Sequence, residues 1–384
     1  MEHEEWKKSR AWREVDLDAL THNARLLQRR MGENCRLMAV VKADAYGHGA
    51  VPVAKTLAEA GVEAFAVACP AEGIALRRAG IQGTILVLGC TPPEGAEELV
   101  RWDLTQTVAD QVHGKALSDQ GVPLKVHLAL DTGMHRLGIP AEDRAAIAKV
   151  RSLPNLRFQG TFSHLCVSDS GAAEDRAYTK RQLEDFQRAL TWMATAGYDP
   201  GAVHIQASYG ILELPSQPRM DYGRAGIALY GVPSEGAPGG IWTQLEPALS
   251  LRARVVCLRE LPAGAGAGYG LAFRCERKTR LAVLSIGYAD GLFRALSQSG
   301  GEVLIRGCRC PMVGRMCMDQ LLVDVTGLPE AAAGDVATLI GRDGGEEITA
   351  QDMAERCGTI TNELLSRMGG RLPIVYQSAD ASAF

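Results

Sequence analysis

The sequence predicts an α/β protein built from a (β/α)8 TIM-type barrel followed by a mostly antiparallel β domain. Two observations lead to this fold class. From residue 37 to about residue 229, eight short apolar runs follow one another with turns and amphipathic segments between them, which is typical of a parallel sheet whose strands alternate with helices. Beyond residue 240 the apolar runs shorten, and Gly, Pro and charged residues separate them, which indicates antiparallel strands. A doubly wound open sheet is the alternative for the first part.

The individual elements follow from these patterns in chain order. Residues 11–17 alternate apolar and polar side chains and predict a strand that we expect to join the C-terminal domain. Barrel strands are predicted at residues 37–41, 64–68, 84–88, 104–108, 124–130, 157–164, 203–206 and 224–229, with helices at 19–30, 50–60, 70–79, 94–102, 111–120, 141–150 and 174–197. In the C-terminal domain, strands are predicted at 248–258, 279–286, 302–305, 321–325 and 336–340, and a helix at 350–356. We place the barrel domain at 11–240, with a Pro- and Gly-rich linker at 233–240, and the β domain at 241–384.

Length, charge and cysteine usage exclude several classes of protein. A chain of 384 residues with 46% hydrophobic residues has room for two domains, and its net charge of −4 does not favour nucleic-acid binding. No apolar run is long enough for a membrane helix, and residues 1–8 are charged and lack the apolar core of a signal peptide, so we expect a cytoplasmic protein. The ten cysteines form no CxxC pair. We expect free thiols, buried where they lie in apolar runs, as do Cys69 and Cys257.

Lys42 is the first candidate for a catalytic residue. It follows the apolar run 37–41 and precedes a turn that contains Gly47 and Gly49. This order places an amine at the carboxyl edge of the sheet, where α/β proteins build their sites. Apolar surroundings disfavour the ammonium form and lower the pKa of the amine, which allows it to act as a Schiff-base nucleophile. The alternative is a strand-end lysine that points into solvent.

Other polar residues are predicted at the same edge. Arg136 follows the fifth strand in a turn-rich segment and suits a carboxylate or phosphate. His164 could face a ligand ring, Ser208 could donate to a phosphate, and Arg224 belongs to the eighth strand, near which barrels often hold phosphate. The Gly-rich segment 264–270 precedes no helix, so we interpret it as a flexible loop with an exposed Tyr269 rather than a dinucleotide site. The eight His and ten Cys show no metal-ligand spacing.

Several of these segments, in this order, resemble the alanine racemase family of fold-type III pyridoxal-phosphate enzymes, and the resemblance runs from about residue 12 to about residue 376. The segments are Val41-Lys42-Ala43-Asp44-Ala45-Tyr46-Gly47-His48-Gly49, Asp131-Thr132-Gly133-Met134 with Arg136-Leu137-Gly138, Arg224 with Gly226-Ile227, Gly268-Tyr269-Gly270, 286–291 and 314–320. The pattern around Asn362, 163–169 and 208–212 is most similar to the racemase domain of the serine/alanine racemases of vancomycin resistance. Those proteins carry an additional membrane domain that we do not expect here.

The resemblance implies a role for each site residue. Lys42 would hold pyridoxal 5'-phosphate and act as the base on one face of the substrate Cα, and Tyr269 of the partner subunit would be the opposite base. This implies a homodimer with shared active sites. Tyr46, Ser208 and the backbone of Gly226 and Ile227 would hold the phosphate, His164 would lie against the pyridine ring, and Arg224, held by His204, would face the pyridine nitrogen. Arg136, Tyr288, Met318, Asp319 and Asn362 would form the substrate site.

Two departures from the family pattern affect these expectations. Many members carry a carbamylated lysine two residues before the Asp131 position, and it braces the arginine; here that residue is Ala129. We expect Arg136 to be held instead by a bound anion or a neighbouring side chain. The second departure is Asn362, where the family pattern has Tyr. Asn is smaller and brings a donor and an acceptor, which favours a hydroxymethyl side chain and hence serine as well as alanine.

The implied function is therefore a pyridoxal-phosphate racemase of alanine and serine that acts by a two-base mechanism. A strict alanine racemase, with Asn362 a neutral change, is the first alternative. The second is a decarboxylase of the related barrel-plus-β type that acts on a larger basic amino acid, although its usual Cys-Glu-Ser-Gly-Asp pattern is missing. The third is a small barrel protein that binds the cofactor without turnover. Proteins of that kind lack the β domain predicted here.

Overall fold

A computed structural model describes residues 9–214, 220–236 and 239–378. The chain divides into two units. The barrel unit comprises residues 20–45 and 50–229 of this part of the chain, and the β unit comprises residues 9–19, 46–49 and 230–378. The division falls between Leu229 and Tyr230, whereas the sequence prediction ends the barrel domain at residue 240. The described ranges leave out residues 237–238 of the predicted linker, the N-terminal residues 1–8 and residues 379–384.

Eight parallel strands form the centre of the barrel unit, as the sequence predicts. From the second strand to the seventh, each pairs with the strand before it along the chain, and the eighth pairs with the first. Hydrogen bonds from Asp221 N to Val203 O and from Arg224 N to Gln206 O join the seventh strand region to the eighth. The strands are Arg36–Val40, Ala64–Val67, Thr84–Val87, Thr105–Val108, Leu124–Asp131, Leu156–Phe162, Ala202–His204 and Tyr222–Ala225.

Helices follow the strands, and amphipathic patterning explains their positions. In Arg144–Arg151, for example, the buried side chains are Ala146, Ile147 and Val150, while Asp143 accepts a hydrogen bond from Ala146 N and caps the helix start. The helices are Leu17–Met31, Lys42–Gly47, Ala50–Glu59, Pro70–Arg78, Ala96–Arg101, Gln111–Ser118, Arg144–Arg151, Ala173–Thr195 and Ser208–Glu213.

The eighth strand differs from its prediction at 224–229. It covers Tyr222–Ala225, and Ile227–Tyr230 form a 3-10 helix. The physical reason is that Gly226 N and Ala228 N donate to the hydroxyl of Ser208 rather than to a neighbouring strand. This difference turns two backbone N–H groups toward the seryl side chain at the carboxyl edge of the sheet.

The β unit is built on a nine-stranded, largely antiparallel sheet. Ala11–Asp16 lies in it, antiparallel to Leu249–Leu261 and parallel to Ile374–Gln377. In sheet order the strands are Glu346–Ile348, Val336–Asp343, Glu302–Ile305, Cys308–Val313, Leu321–Asp324, Thr279–Leu284, Leu249–Leu261, Ala11–Asp16 and Ile374–Gln377. A separate hairpin joins Gly266–Ala267 to Phe273–Arg274, and the helices are Ala350–Arg356 and Thr361–Ser366.

Five strands and one α-helix of the β unit are missing from the prediction: the strands Gly266–Ala267, Phe273–Arg274, Cys308–Val313, Glu346–Ile348 and Ile374–Gln377, and the helix Thr361–Ser366. Each is short, and Cys308–Val313 contains a proline that argues against a strand. The prediction of buried thiols is wrong for Cys69, which is exposed, and Cys257 is only half-buried. All ten cysteines are free. Among the described residues, no helix combines the length and the apolarity that a membrane crossing requires.

Candidate active site

Lys42 lies directly beyond the first barrel strand and is half-buried. Burial lowers the pKa of its amine from the usual 10.5, and the positive charges of Arg136 and Arg224 add to this effect, while Glu72 opposes it. A lysine whose pKa is lowered has a larger neutral fraction at a given pH, and the neutral amine is the nucleophilic form. The structure therefore places an amine with a lowered pKa at the strand end where the sequence predicts a reactive lysine.

An unusual backbone turn follows Lys42. Residues 43–46 all have φ between 52° and 54°, and Gly47 continues the left-handed turn at 78°. Left-handed backbone costs roughly 1–2 kcal/mol for each residue that carries a Cβ, so surrounding contacts must impose it. Glu72 supplies one of them, because its carboxylate accepts a hydrogen bond from Ala43 N at 2.7 Å. The same carboxylate accepts a hydrogen bond from Ala68 N at 2.7 Å. Glu72 thus ties the turn to the end of the second strand, a role that no sequence motif indicates.

Two of the charges that act on Lys42, those of Glu72 and Arg136, give opposite predictions. Glu72→Gln removes a negative charge and should lower the pKa of Lys42 further, whereas Arg136→Met removes a positive charge and should raise it. The pKa can be measured on the cofactor-free protein from the pH dependence of Lys42 labelling by a short aldehyde, with mass spectrometry as the readout. Shifts of the same sign in both variants would contradict this account of the site.

Arg224 lies on the eighth barrel strand and is buried. Its guanidinium donates to Nδ1 of His204 at 2.6 Å, to Nδ1 of His164 at 3.0 Å and to the carbonyl oxygen of Ser163 at 2.8 Å. Burial, followed by the charge of Arg136, lowers the pKa of Arg224 to about 9, so the side chain stays charged at neutral pH. Burial and nearby positive charges also lower the pKa of His164 to about 3, and this ring is neutral.

His127 extends this group and is absent from the sequence prediction. Its Nδ1 lies 2.8 Å from Nε2 of His204. Both rings are buried, and burial lowers the pKa of His127 to about 3 and that of His204 well below its usual value. The signal in the sequence is weak, because a single histidine within the apolar strand 124–131 does not reveal its partner.

Ser208 and the start of the 3-10 helix Ile227–Tyr230 form a compact group of polar atoms. The Ser208 hydroxyl accepts from Gly226 N at 3.1 Å and from Ala228 N at 3.2 Å. Ile227 is the residue between these two donors. The structure therefore brings together Ser208, Gly226 and Ile227, which the sequence analysis assigns to phosphate binding.

Arg136 is exposed, and within the described ranges it makes no hydrogen bond or ion pair. Ala129, two residues before Asp131, is buried. Among the described residues, the neighbouring side chain that we expected as a brace for Arg136 is not found. A bound anion as the brace stays a prediction.

The remaining candidate residues belong to the β unit. Tyr269 is 67% exposed and Met318 is 52% exposed. Both line an open cavity of about 670 Å³, together with Asp319. Tyr288 N donates to Cys317 O, and Gly287 allows this close approach, since a Cβ there would lie 2.4 Å from the carbonyl oxygens of residues 317 and 318. The structure therefore docks the Tyr288 turn against the Met318 loop.

Tyr46 and Asn362 lie elsewhere in the β unit. The Tyr46 ring packs against Tyr230 with 5.0 Å between centroids. Burial raises the pKa of Tyr46 to about 12, so its hydroxyl stays protonated and can donate to an anion. The side-chain oxygen of Asn362 is buried and has no hydrogen-bond partner among the described residues.

A buried carboxylate supports the Tyr288 turn. Asp290 is fully buried, and it accepts hydrogen bonds from Arg10 and from Gly287 N. Arg371 lies 3.4 Å from Asp290 and also donates to Asp319. Arg371 therefore connects the turn that carries Tyr288 to the loop that carries Asp319.

This carboxylate gives a stability prediction. Asp290→Asn should lower the free energy of unfolding by about 2 kcal/mol, since the lost hydrogen bonds join charged groups at a buried site. Asp319→Asn is the matched control because it removes an exposed partner of the same arginine and should cost less than about 1 kcal/mol. Urea unfolding of the cofactor-free variants measures both values, and equal losses would show that Asp290 has no special role.

Comparisons with known proteins agree with this architecture. Residues 15–234 match the N-terminal domain of alanine racemase, and residues 248–376 match its C-terminal domain. An alanine racemase of Halothermothrix orenii is 39% identical over 373 residues, which cover 96% of this chain and 97% of that protein. An amino-acid racemase of Enterococcus faecalis is 44% identical over 370 residues, which cover 96% of this chain and 52% of that protein. The chain thus spans about half the length of this second relative.

Solved structures show the same similarity. The alanine racemase from Enterococcus faecalis has a TM-score of 0.89 and 36% identity, with 96% of this chain and 99% of that chain covered. The alanine racemase from Bacillus anthracis with bound L-Ala-P has a TM-score of 0.88 and 35% identity, with coverage of 96% and 95%. The chain belongs to the alanine racemase family, whose enzymes are pyridoxal-phosphate-dependent isomerases.

Proposed function

We propose that the protein interconverts L- and D-alanine with Lys42 and Tyr269 as bases on opposite faces of the substrate Cα. The observation that carries this proposal is the Lys42 amine, which has a lowered pKa and lies at the carboxyl edge of the barrel, in a chain similar to alanine racemases over nearly its full length. Two bases on opposite faces allow a proton to leave on one side and return on the other without turning the substrate.

The residues present fit pyridoxal phosphate by the chemistry of their donor groups. Lys42 offers an amine for the aldehyde, Ser208 and the backbone at Gly226 and Ile227 offer donors and a hydroxyl for the phosphate, and Arg224 offers a charged group for the ring. When bound, the cofactor supplies an electron sink that makes the Cα proton of an amino acid acidic.

The chain's own groups direct the outcome of this chemistry. Lys42 takes or gives the proton on one face, and Tyr269 does so on the other. Arg224 is charged at neutral pH and has no lone pair with which to accept a proton, so it opposes protonation of a ring nitrogen that it faces. By opposing that proton, Arg224 would weaken the electron sink and so favour return of the proton to Cα over transamination.

A homodimer is part of the proposal. The exposure of Tyr269 on the single chain, 67% of its surface, is consistent with a side chain that acts in the site of a second copy. Met318 N–H and Arg136 would bind the substrate carboxylate, and Tyr288 would narrow access. Purified protein saturated with pyridoxal phosphate should convert L-alanine to an equal mixture of enantiomers. Absence of D-alanine from a folded, cofactor-saturated preparation would reject the proposal.

Serine is a second candidate substrate, and Asn362 is the observation that favours it. Its side-chain oxygen is buried and unpaired among the described residues, and an unpaired buried acceptor costs about 1–3 kcal/mol. The hydroxyl of serine could donate to this oxygen and remove that cost. Alanine has no such donor.

The Asn362 prediction separates serine from alanine turnover. Asn362→Leu keeps the size of the side chain but removes the acceptor, and it should lower kcat/KM for serine by about tenfold while alanine turnover changes little. Asn362→Tyr should also exclude serine, by filling the space. Racemisation of both amino acids by one preparation of each variant measures the effect, with alanine as the internal control. If wild type and variants all use alanine alone, the protein is a strict alanine racemase and Asn362 does not set specificity.

A further inference from the structure

His127 lies one hydrogen bond beyond the His204–Arg224 pair, and the three buried side chains come from three different barrel strands. The distance from His127 Nδ1 to His204 Nε2 is 2.8 Å, and that from His204 Nδ1 to the guanidinium of Arg224 is 2.6 Å. None of the proposed steps in racemisation uses His127. Its position within this row of hydrogen bonds nevertheless gives it a defined effect on Arg224.

The chemistry of the groups fixes the direction of every hydrogen bond in this row. A guanidinium has N–H donors and no acceptor, so Arg224 must donate and His204 Nδ1 must carry a lone pair. Neutral His204 then carries its proton on Nε2 and donates it to His127. His127 Nδ1 must therefore be an acceptor, and its own proton is on Nε2. Both hydrogen bonds, from Arg224 to His204 and from His204 to His127, can form only with this one set of tautomers.

The backbone makes room for the His127 ring at this place. The register between the fifth and sixth barrel strands shifts so that Val126 lies opposite Phe158 and His127 lies opposite Gly160, which skips one residue. A Cβ on residue 160 would lie 2.7 Å from Cε1 of His127 and 2.5 Å from the carbonyl oxygen of Ala202. A bulge and a glycine thus hold His127 next to His204.

The two aromatic neighbours of His204, Phe162 and Tyr222, do not choose its tautomer. Phe162 stacks on the ring with 4.9 Å between centroids and an angle of 3°, and Tyr222 meets it edge-on at 6.1 Å. These contacts fix the plane of the ring but do not distinguish which nitrogen carries the proton. His127 makes the one side-chain hydrogen bond to Nε2 found among the described residues.

We propose that His127 is a positioning residue: it accepts the Nε2 proton of His204 and so keeps the Nδ1 lone pair of His204 available to Arg224. Without His127, the tautomer of His204 with the proton on Nδ1 would turn an N–H group toward the N–H groups of Arg224. Two donors would then face each other, and the guanidinium would leave its fixed orientation. The consequence for the reaction rests on the proposed function, in which Arg224 faces the cofactor ring.

The first test needs neither cofactor nor substrate. Nitrogen-15 NMR of histidine-labelled, cofactor-free protein reports the tautomer of each ring, and a His204 variant assigns the His204 signals. The expected result is a neutral His204 with its proton on Nε2 in wild type and in His127→Asn, because the Asn oxygen can occupy the acceptor position of Nδ1. In His127→Leu we expect the other tautomer or a mixture. A wild-type His204 with its proton on Nδ1 overturns the proposal even if no variant folds.

The second test uses the enzyme loaded with cofactor and compares the same two variants. In half-transamination, alanine and pyridoxal phosphate give pyruvate and pyridoxamine phosphate, so no further oxidant or reductant is needed. The amount of pyruvate released per racemisation turnover should rise by about 10-fold or more in His127→Leu and stay near wild type in His127→Asn, in the range of effects seen when an outer hydrogen-bond partner is lost. Phe162→Leu is the control for packing around His204 and should leave the tautomer unchanged.

These outcomes separate the two proposals. An unchanged tautomer and an unchanged pyruvate ratio in folded His127→Leu that retains cofactor would show that His127 only fills space. A wild-type protein that does not racemise alanine would reject the proposed function, while the NMR result for His204 would still decide the role of His127.

Discussion

Replacing Lys42 with alanine should lower kcat/KM for alanine racemisation by at least about 10⁴-fold, since the variant loses both the amine that holds the cofactor and one of the two bases. The loss should occur in both directions, from L to D and from D to L. The cofactor spectrum should also change, because no lysine remains at this position to bond with the aldehyde. Chiral chromatography of the products measures the rate, and absorbance measures the cofactor.

Two controls make this result specific. Lys149→Ala removes an exposed lysine on the helix Arg144–Arg151 and should leave the rate unchanged. A small primary amine in solution should restore part of the activity of Lys42→Ala, because it can replace the missing base. If Lys42→Ala racemises alanine at the wild-type rate, the proposed mechanism is wrong.

Tyr269→Phe should lower racemisation by about 10²–10⁴-fold, the usual contribution of a positioned acid or base. The sharper expectation concerns proton exchange. With Lys42 still present, one enantiomer of alanine should exchange its Cα proton for deuterium from solvent, while the other should not. Mass spectrometry of each enantiomer after incubation in D₂O measures this asymmetry.

The matched control is Tyr198→Phe, which removes a hydroxyl from a ring that packs 6.2 Å from Trp192. It should exchange and racemise like wild type. Cofactor retention in Tyr269→Phe, checked by absorbance, separates a loss of catalysis from a loss of binding. Exchange of both enantiomers at equal rates would show that Tyr269 is not the second base.

The barrel, and the position of several candidate site residues at one edge of it, could be predicted from sequence because parallel strands align their carboxyl ends. Lys42, His164 and Arg224 each lie at or just beyond a strand end, and closure of the sheet brings them to one edge. At this edge the guanidinium of Arg224 lies close enough to donate hydrogen bonds to the two histidines His164 and His204.

The turn after Lys42 could not be predicted in the same way. Residues 43–46 contain no glycine, so local preferences oppose the left-handed backbone that they adopt. Contacts remote in sequence impose it, including the hydrogen bond from Ala43 N to Glu72. His127 was missed for a related reason, since the register shift that places it opposite Gly160 depends on pairing between two strands.

The pairing of the strand Ala11–Asp16 with strands late in the chain has a consequence for the synthesis of the protein on the ribosome. This strand is made early, yet both of its partners, Leu249–Leu261 and Ile374–Gln377, are made late. Until they emerge, the nascent chain carries a strand with two unpaired edges, and such edges invite association with other chains. A permuted gene that joins Ala11–Asp16 directly to its late partners would shorten this interval, and its product should aggregate less during synthesis.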